Sequence, residues 1–275
     1  MEVVGLFMPE LPEVETIRRD LERGLCRRSI TRVHIFDKRV LRQPRADFIR
    51  RLQGQRIRSV NRRGKALILA LASGEYFIVQ VMMTGQMVLN GVESPHTRVR
   101  FDLTGGDKLF YNDQRVFGQL RVVKDLREVK YFQVLGPEPF AEDFSEAYMA
   151  AGLKKTRRPI KNVLLDHTFV AGVGNIYACE ILFRCRMDPQ RRAHRIKSVE
   201  VPLLRAQTIA VLKEAIALRG SSLRNYRDGA GQKGAFNRRI RVYAREGSPC
   251  LDCRGPVARI VQSGRSTFYC PYCQR

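Results

Sequence analysis

The chain has 275 residues, of which 44% are hydrophobic, and this is enough to build the core of one large domain or the cores of two ordinary domains. It has 50 Lys and Arg residues and 27 Asp and Glu residues, which gives a formal net charge of +23. A charge of this size predicts a polyanionic partner. The composition argues against a disordered chain, and the lack of an apolar run near about 20 residues argues against a membrane protein.

The chain begins MEVVGLFMPELPEVET and contains two possible starting methionines, Met1 and Met8. Residues 1–7 make a poor signal peptide, because they have no basic start and no adequate apolar core. We therefore expect a cytoplasmic protein. The next segment predicts one amphipathic helix over 12–25, since its apolar residues recur every three or four positions: Val14, Ile17, Leu21 and Leu25.

From residue 30 to residue 123 the sequence changes to short apolar runs, such as those at 66–71, 76–81, 99–103 and 109–111. Turn signals, including Asn90-Gly91 and Gly105-Gly106, separate the runs. Short runs bounded by turns predict a β-rich domain, which we interpret as a sandwich.

The segment Gly136-Pro137-Glu138-Pro139 predicts a linker that is stiffened by two prolines. After it the sequence predicts helices near 144–152, 158–166, 174–186 and 200–219. Residues 220–239 combine glycines with Arg and Lys and predict a mobile basic loop. The expected organisation is a first domain at 8–136, a linker at 137–143, a helical domain at 144–239 and a C-terminal module at 240–275.

Four cysteines form the pattern Cys-x2-Cys-x16-Cys-x2-Cys near the C-terminus: Cys250, Cys253, Cys270 and Cys273. Two such pairs can bring four thiolates onto one tetrahedral zinc ion, which predicts a zinc finger. A site with four protein ligands has no open position for water, so we expect the zinc to be structural. The remaining cysteines are interpreted as core thiols: Cys26, Cys179 and Cys185.

Two glycine-containing segments are candidate phosphate sites. The turn QSGRS between the cysteine pairs carries Arg265, whose guanidinium suits bidentate phosphate contact, although a solvated turn arginine explains it equally well. The segment GVGNIY places glycines before Asn175 at a predicted helix N-terminus, where N–H groups and the helix dipole suit phosphate. Glycines also serve in ordinary turns between helices, so this motif alone leaves both interpretations open.

Two segments with basic and aromatic residues lie at predicted strand ends: RRGK at 62–65 and YNDQRVFG at 111–118. In an enzyme that flips a nucleotide out of the duplex, Phe117 can wedge into the base stack while Arg115 contacts an exposed base edge. A solvated sheet edge with one core phenylalanine is the alternative, and these segments alone favour it.

Six segments in this order resemble the bacterial formamidopyrimidine-DNA glycosylase family: PELPEVET, RRGK, YNDQRVFG, LGPEP, GVGNIYACE and the four-cysteine finger with GRSTFYC. The resemblance extends from Met8 to Arg275. It implies an α+β multidomain chain with a leading helix, an N-terminal β-sandwich, a helix-two-turn-helix domain and a zinc finger. It also implies a bacterial, nucleoid-associated enzyme that excises oxidised purines, such as 8-oxoguanine and formamidopyrimidines, and then cuts the abasic strand.

The resemblance also implies roles for individual residues. Pro9 resembles the amine nucleophile on C1′ of the flipped nucleotide, and Glu10 resembles its acid/base partner. Glu13 resembles an assisting carboxylate, and Lys65 resembles a group that contacts DNA phosphate near the lesion. Five residues resemble further DNA contacts, two on phosphates around the extruded nucleotide and three in the space that it leaves: Asn175, Arg265, Met83, Arg115 and Phe117.

The chemistry of Pro9 depends on where the working protein begins. An α-amino group has a pKa about two to three units below that of lysine, so more of it is nucleophilic at neutral pH. A secondary amine forms a charged iminium directly, which can drive β and then δ elimination. With residues 1–8 attached, Pro9 is a tertiary amide without an available lone pair. We therefore expect the working protein to begin at Met8 and to expose Pro9 when the methionine is removed.

The sequence departs from the family pattern at three places. It has VQVMMTG around Met83, where the family often has His-Leu-Gly-Met before Ser or Thr and Gly. Gln114 replaces a frequent proline, and Ala235 lies in the loop that covers the base in family members.

Two other functions are weighed against the purine-specific enzyme. One is an oxidised-pyrimidine glycosylase of the endonuclease VIII type, and Leu11 argues against it because that sister group tends to have glycine there. The other is a noncatalytic damaged-DNA-binding protein, which requires that the residues before Met8 be retained. The expected partner is double-stranded DNA with oxidised bases or abasic sites, the expected cofactor is one structural zinc, and the protein is expected to be a monomer.

Overall fold

The computed structural model describes residues 9–221 and 234–275. The chain forms two compact units. The sandwich unit contains the described residues of 9–133 and 218–237, and the helical unit contains residues 134–217 and 238–275. The expected start at Met8 and most of the predicted basic loop lie outside the described residues.

The first helix, α1 (Leu11–Leu25), confirms the helix predicted from the apolar spacing. Glu10 caps it, because the Glu10 side chain accepts a hydrogen bond from the backbone N–H of Glu13 while the Glu13 side chain accepts one from the backbone N–H of Glu10. Pro12 lies in the first turn, where its missing N–H costs nothing. The apolar face of α1 is buried in the sandwich core: Val14, Ile17, Leu21 and Leu25.

Two four-stranded antiparallel sheets form the predicted sandwich. The first sheet consists, in spatial order, of β1 (Ile30–Ile35), β6 (Thr97–Leu103), β7 (Lys108–Asp113) and β5 (Gly85–Leu89). The second sheet consists of β2 (Ile57–Arg63), β3 (Ala66–Leu71), β4 (Tyr76–Gln80) and β8 (Gln119–Val123). Buried apolar residues of both sheets share one core.

A second helix, α2 (Arg45–Leu52), also packs on this core. Its Phe48 ring lies 5.7 Å from the Phe77 ring and 6.5 Å from the Phe101 ring, measured between centroids. Aromatic rings at these separations stabilise a core beyond the area they bury. The sequence analysis did not predict α2, since a helix of eight residues lies within a region of strand-like runs.

The outer face of the second sheet is partly covered by the chain that follows β8. This segment contains a 3-10 turn at Leu126–Glu128 and the short helix α3 (Lys130–Val134). Val129 packs against Ala66 and Ile78, and Tyr131 lies against the same cluster. The sheet is therefore buried on both faces at this point, although a cavity remains beside the cluster, as described below.

The helical unit contains four helices: α4 (Glu146–Lys154), α5 (Ile160–Leu164), α6 (Asn175–Arg184) and α7 (Val201–Ala217). Each overlaps a predicted helix, but α5 is shorter than predicted because Pro159 is its N-cap and a turn begins at its C-cap, Leu165. Further 3-10 turns occur at Lys38–Val40, Ala193–Arg195, Ser198–Glu200 and Phe236–Arg239. Within the described ranges, none of the helices has the length and apolar character needed to cross a bilayer.

The helical unit ends in a hairpin formed by β9 (Ala258–Gln262) and β10 (Arg265–Tyr269). Its two turn residues, Ser263 and Gly264, have φ values of 47° and 72°. Positive φ at both central residues is the geometry that matches the twist of a two-residue hairpin. This turn places Arg265 at the tip of the hairpin, with its side chain exposed.

Candidate functional site

Pro9, Glu10 and Glu13 form a buried cluster at the N-terminal end of α1. Pro9 is buried, Glu10 is 4% exposed and Glu13 is fully buried. Glu13 Oε2 accepts a hydrogen bond of 2.9 Å from the Glu10 N–H. The capping arrangement that begins the helix therefore also fixes both carboxylates beside the predicted nucleophile.

Glu13 additionally holds a distant part of the chain. Its Oε1 accepts a hydrogen bond of 2.7 Å from the backbone N–H of Ser221. Gly220 has a φ of +78°, and a Cβ at this position would lie 2.8 Å from Glu13 Oε1, so only glycine fits the close approach. Phe236 N–H donates to the Gly220 carbonyl over 3.0 Å. The described flanks of the predicted basic loop are thus joined to each other and to Glu13.

A cavity of about 360 Å³ lies beside Pro9, and Lys65 lines the same cavity. The backbone N–H of Lys65 donates a hydrogen bond of 2.9 Å to the hydroxyl of Tyr131, which fixes the Gly64-Lys65 turn. The structure therefore brings together the predicted nucleophile and the predicted phosphate-binding lysine. Five further polar residues line this cavity and were not identified from the sequence: Gln80, Gln119, Arg121, Lys130 and Tyr131.

Met83, Arg115 and Phe117 also lie together. Arg115 Nη1 is 3.4 Å from Met83 Sδ, and the Arg115 guanidinium carbon lies 4.7 Å from the centroid of the Phe117 ring. Phe117 is 47% exposed, so it is an exposed aromatic side chain and not the core phenylalanine of the simpler interpretation. The departure from the family pattern before Met83 does not prevent this grouping.

Asp113 organises the backbone beneath these three residues and was not identified from the sequence. It is 1% exposed, and its carboxylate accepts hydrogen bonds from Gly118 N–H over 2.8 Å and from Arg115 N–H over 3.2 Å. It also accepts a hydrogen bond from the hydroxyl of Thr84, the residue after Met83. The sequence signal is an aspartate that begins a turn, where its side chain can bind later backbone N–H groups.

The two segments that carry the trio have strained backbone. Val116, between Arg115 and Phe117, has a φ of +58°, and Met82 has a φ of +51°. Positive φ is rare for a β-branched residue and costs of order 1–3 kcal/mol when surrounding structure enforces it. The Asp113 hydrogen bonds supply this constraint, and burial together with the Asp113 charge raises the pKa of the neighbouring Tyr111 well above its ordinary value.

Asn175 lies in the first turn of α6 and contacts the finger hairpin within the helical unit. Its Nδ2 donates a hydrogen bond of 2.9 Å to the carbonyl of Ser266, the residue after Arg265. Its buried Oδ1 has no hydrogen-bond partner in the described part of the chain. Lys161, which is fully buried, also donates to the Ser266 carbonyl and to Thr267 Oγ1, over 3.3 and 2.6 Å. Asn175 is therefore bound to the residue that follows Arg265 in the hairpin.

Glu180 fixes the chain that leads into the finger, and the sequence analysis missed it. It is fully buried, and its carboxylate accepts hydrogen bonds of 2.9 to 3.0 Å from three successive backbone N–H groups, those of Arg241, Val242 and Tyr243. A buried carboxylate with three N–H donors is well satisfied. Helix α6 thus positions both Asn175 and the start of the finger.

The four predicted metal ligands come together as a group: Cys250, Cys253, Cys270 and Cys273. Their sulfur atoms all lie within 4.8 Å of one another, and two pairs are separated by 3.4 and 3.9 Å. A tetrahedral zinc with sulfur ligands at about 2.3 Å requires sulfur–sulfur separations of about 3.8 Å, so these residues fit one structural zinc. Cys179 and Cys185 are buried, as expected for core thiols, and Cys179 packs in the same apolar cluster as Cys250 and Cys270, whereas Cys26 is only partly buried.

Three family models match the chain. Residues 8–120 match the formamidopyrimidine-DNA glycosylase N-terminal domain, and residues 135–227 match the formamidopyrimidine-DNA glycosylase H2TH domain. Residues 247–275 match a zinc finger found in FPG and IleRS. A formamidopyrimidine-DNA glycosylase of Cereibacter sphaeroides is 43% identical over 98% of this chain and 100% of its own length.

Solved structures resemble the chain over nearly its whole length. The MutM (FPG) protein of Thermus thermophilus has a TM-score of 0.89 and 42% identity, over 97% of this chain and 98% of that one. Lactococcus lactis FPG has a TM-score of 0.91 and 32% identity over 97% of this chain. Its structures include a mutant with Fapy-dG containing DNA and a complex with abasic-site DNA, covered over 100% and 99% of their chains. This chain therefore belongs to the formamidopyrimidine-DNA glycosylase family.

Proposed function

We propose that this chain is a bifunctional DNA glycosylase and abasic-site lyase, which excises oxidised purines from double-stranded DNA during base excision repair. The observation that carries the proposal is the buried cluster of Pro9, Glu10 and Glu13 beside the cavity that Lys65 lines. The family membership and the net charge of +23 support DNA as the substrate. A DNA-binding protein of a bacterial family is expected to associate with the nucleoid.

In the proposed mechanism the secondary amine of Pro9 forms a bond to C1′ of the damaged nucleotide. The base leaves with the electrons of the broken glycosidic bond and takes up the proton that the amine loses. Cleavage of C1′–O4′ then opens the sugar and leaves an iminium, while Glu10 gives a proton to O4′. Loss of a proton from C2′ drives elimination of the 3′ phosphate from C3′, and loss of a proton from C4′ drives a second elimination that releases the 5′ phosphate from C5′. The iminium accepts the electron pair in each step, so Pro9 supplies the electron sink.

The other residues bind and orient the strand. Glu13 keeps Glu10 and the turn at Gly220-Ser221 in place through its hydrogen bonds. Lys65 provides a cation for the phosphate near the lesion. Asn175 and Arg265 are assigned to phosphates around the extruded nucleotide. Met83, Arg115 and Phe117 are assigned to the space that this nucleotide leaves in the duplex.

The proposed domain boundaries separate the catalytic residues from the DNA-binding and zinc-binding segments. We assign 8–136 to the catalytic sandwich domain, 137–143 to the linker, 144–239 to the helical DNA-binding domain and 240–275 to the finger. The described residues of 218–237, which this division gives to the helical domain, pack in the sandwich unit. The enzyme is proposed to act as a monomer, since each proposed step uses residues of one chain.

Borohydride trapping with abasic DNA tests the mechanism, because borohydride reduces an iminium to a stable covalent bond. Protein that starts at Pro9 should form the adduct, and protein that retains residues 1–8 should form little or none. Lys65→Ala in the protein that starts at Pro9 should still be trapped. Efficient trapping of the 275-residue form, with Met1 verified by mass, would assign the chemistry to another amine.

Substrate choice is tested separately. Duplexes that carry 8-oxoguanine should be cut faster than duplexes that carry thymine glycol. The opposite order would identify an oxidised-pyrimidine enzyme with the same amine chemistry.

A further inference from the structure

The cavity beside Pro9 lies on the outer face of the second sheet. Gln80 of β4 pairs with Gln119 of β8, and Arg121 lies two residues further along β8 on the same face. The intervening Leu120 and the following Val122 are buried in the sandwich core. The alternation of β8 therefore directs a guanidinium and an amide away from the core and toward the cavity.

The lining of this cavity is cationic. Lys65, Arg121 and Lys130 contribute basic side chains, and no Asp or Glu is among the described residues that line it. Gln80 and Gln119 add two amide groups. A concave site that combines cations and amide N–H donors without a carboxylate suits an anion.

The described part of the chain satisfies the Arg121 side chain only in part. Its Nη2 donates a hydrogen bond of 2.7 Å to Gln119 Oε1. Within residues 9–221 and 234–275, its buried Nε has no hydrogen-bond partner, and no carboxylate forms an ion pair with its guanidinium. Burial and the nearby Arg42 charge lower the pKa of the Arg121 guanidinium.

A partly buried cation without a counter-charge is costly, and an anion in the cavity offsets that cost. Gln80, which pairs with Gln119 across the two strands, lines the same cavity. Arg121 with its neighbouring amides thus has the features of a binding site and not of a structural ion pair.

We propose that Arg121 binds a backbone phosphate of the damaged DNA strand in the cavity beside Pro9. The inference rests on the proposed function, since it is Pro9 that brings the damaged strand to this cavity. A strand phosphate fits better than a free anion because each nucleotide that places its C1′ at Pro9 carries phosphates on both sides. Arg121 then contributes to holding the strand while the amine reacts.

The test is a double-mutant cycle, in which single DNA phosphates are neutralised in the presence of either wild-type protein or an Arg121 variant. Duplexes with a nonreactive abasic analogue carry one neutral methylphosphonate at a time, at successive positions around that analogue in the damaged strand, and their dissociation constants are measured by fluorescence anisotropy. At one position the substitution should weaken binding to the wild-type protein about tenfold, as for loss of a charge-assisted hydrogen bond. At the same position it should weaken binding to Arg121→Leu less than about twofold.

Arg127→Leu is the matched control, because it removes the same charge from an exposed residue that pairs with Asp125 nearby in the chain. It should keep the full effect at the position that Arg121→Leu loses. Arg121→Gln provides a second variant if the leucine protein melts at a lower temperature. Its residual N–H donors should give an intermediate effect.

Equal methylphosphonate effects in wild type and Arg121→Leu at every position would overturn the proposal. Inorganic phosphate provides the second arm. Inorganic phosphate could stabilise the DNA-free wild type but not Arg121→Leu. If the methylphosphonates then showed no coupling to Arg121 at any strand position, the assignment to the strand would be overturned. Borohydride trapping is measured on the same wild-type protein, so a failure of the Pro9 mechanism is distinguished from a failure of this site.

Discussion

The carboxylate of Asp113 accepts a hydrogen bond of 2.8 Å from the backbone N–H of Gly118, five residues further along the chain. The same carboxylate accepts hydrogen bonds from Arg115 N–H and from the Thr84 hydroxyl. A Cβ at Gly118 would lie 1.5 Å from the Tyr111 hydroxyl, so no larger residue fits here. One buried acid therefore fixes both segments that carry Met83, Arg115 and Phe117.

Asp113→Ala should lower the free energy of unfolding by roughly 1–3 kcal/mol, because it leaves a buried backbone N–H without an acceptor. It should also increase amide hydrogen exchange at Arg115 and Gly118. Asp125→Ala, which removes a more exposed acid that also accepts backbone hydrogen bonds, should cost less. Unchanged exchange at both amides would show that Asp113 does not hold the turn.

Arg115→Ala and Phe117→Ala should impair lesion selection more than cutting of a preformed abasic site, because the space that they fill exists only when a base leaves the stack. We expect a loss of about tenfold in single-turnover cleavage of an 8-oxoguanine duplex, the size of one specific base contact, and less than about twofold with an abasic duplex. Arg23→Ala, an exposed arginine of α1, is the control. Equal losses on both substrates would contradict the assigned role.

Removal of zinc by chelation, or Cys270→Ser, should weaken DNA binding before it unfolds the sandwich unit. Metal analysis should give one zinc per chain. The sulfur cluster packs with Val242, Phe183 and Phe268, so loss of the metal loosens the hairpin that carries Arg265. Cys26→Ser, outside the cluster, should bind DNA normally. Global unfolding of the protein on chelation, monitored by circular dichroism, would contradict this expectation.

Binding to undamaged duplex should weaken steeply with salt. A contact with about five or more phosphates predicts a slope of about −4.5 or steeper in a plot of log K against log salt concentration. The measurement needs no catalysis and can be made with either N-terminal form. A slope near zero would refute the electrostatic contribution that the charge of +23 predicts.

Glu200→Gln should lower stability at neutral pH by about 1 kcal/mol, because Glu200 receives a two-point contact from Arg191 and a hydrogen bond from Lys197 N–H. The hydrogen bonds from Arg191 hold the pKa of Glu200 below its ordinary value. Its stabilisation is therefore present above the unfolded pKa and is lost as pH falls through the folded pKa. Urea unfolding of both proteins across acidic pH should show the difference disappear. A constant difference would exclude this ionic contribution.

The features that the sequence predicted are those determined by residues close together in the chain. Helix α1 was predicted because its apolar face repeats every three or four residues, and the zinc site because each cysteine pair is separated by two residues. Helix α2 was not predicted because its packing depends on contacts of the Phe48 ring with Phe77 and Phe101, which are distant in the sequence. Its own sequence is short and rich in arginine.

The candidate site shows the same limit. Residues such as Pro9 and Asn175 belong to recognisable motifs. In the sequence alone, Asp113 is an acidic residue before a turn and Arg121 is an ordinary residue of a strand. The role of Asp113 depends on its hydrogen bond with Thr84, 29 residues earlier. The role of Arg121 depends on the cavity that it lines together with Gln80 and Pro9. Contacts of this range depend on the register of strands, which the apolar pattern alone does not determine.

The hydrogen bond between Glu13 and Ser221 joins residues separated by 208 positions. During synthesis at about 5–20 residues per second, the ribosome needs about 10 to 40 s to reach the second partner after the first. Over that interval a nascent chain already carries Pro9, while Glu13 still lacks the backbone N–H that completes its surroundings. Chains released before residue 221 therefore lack this hydrogen bond to Glu13, although the contact between Glu10 and Glu13 at the start of α1 needs no later residue.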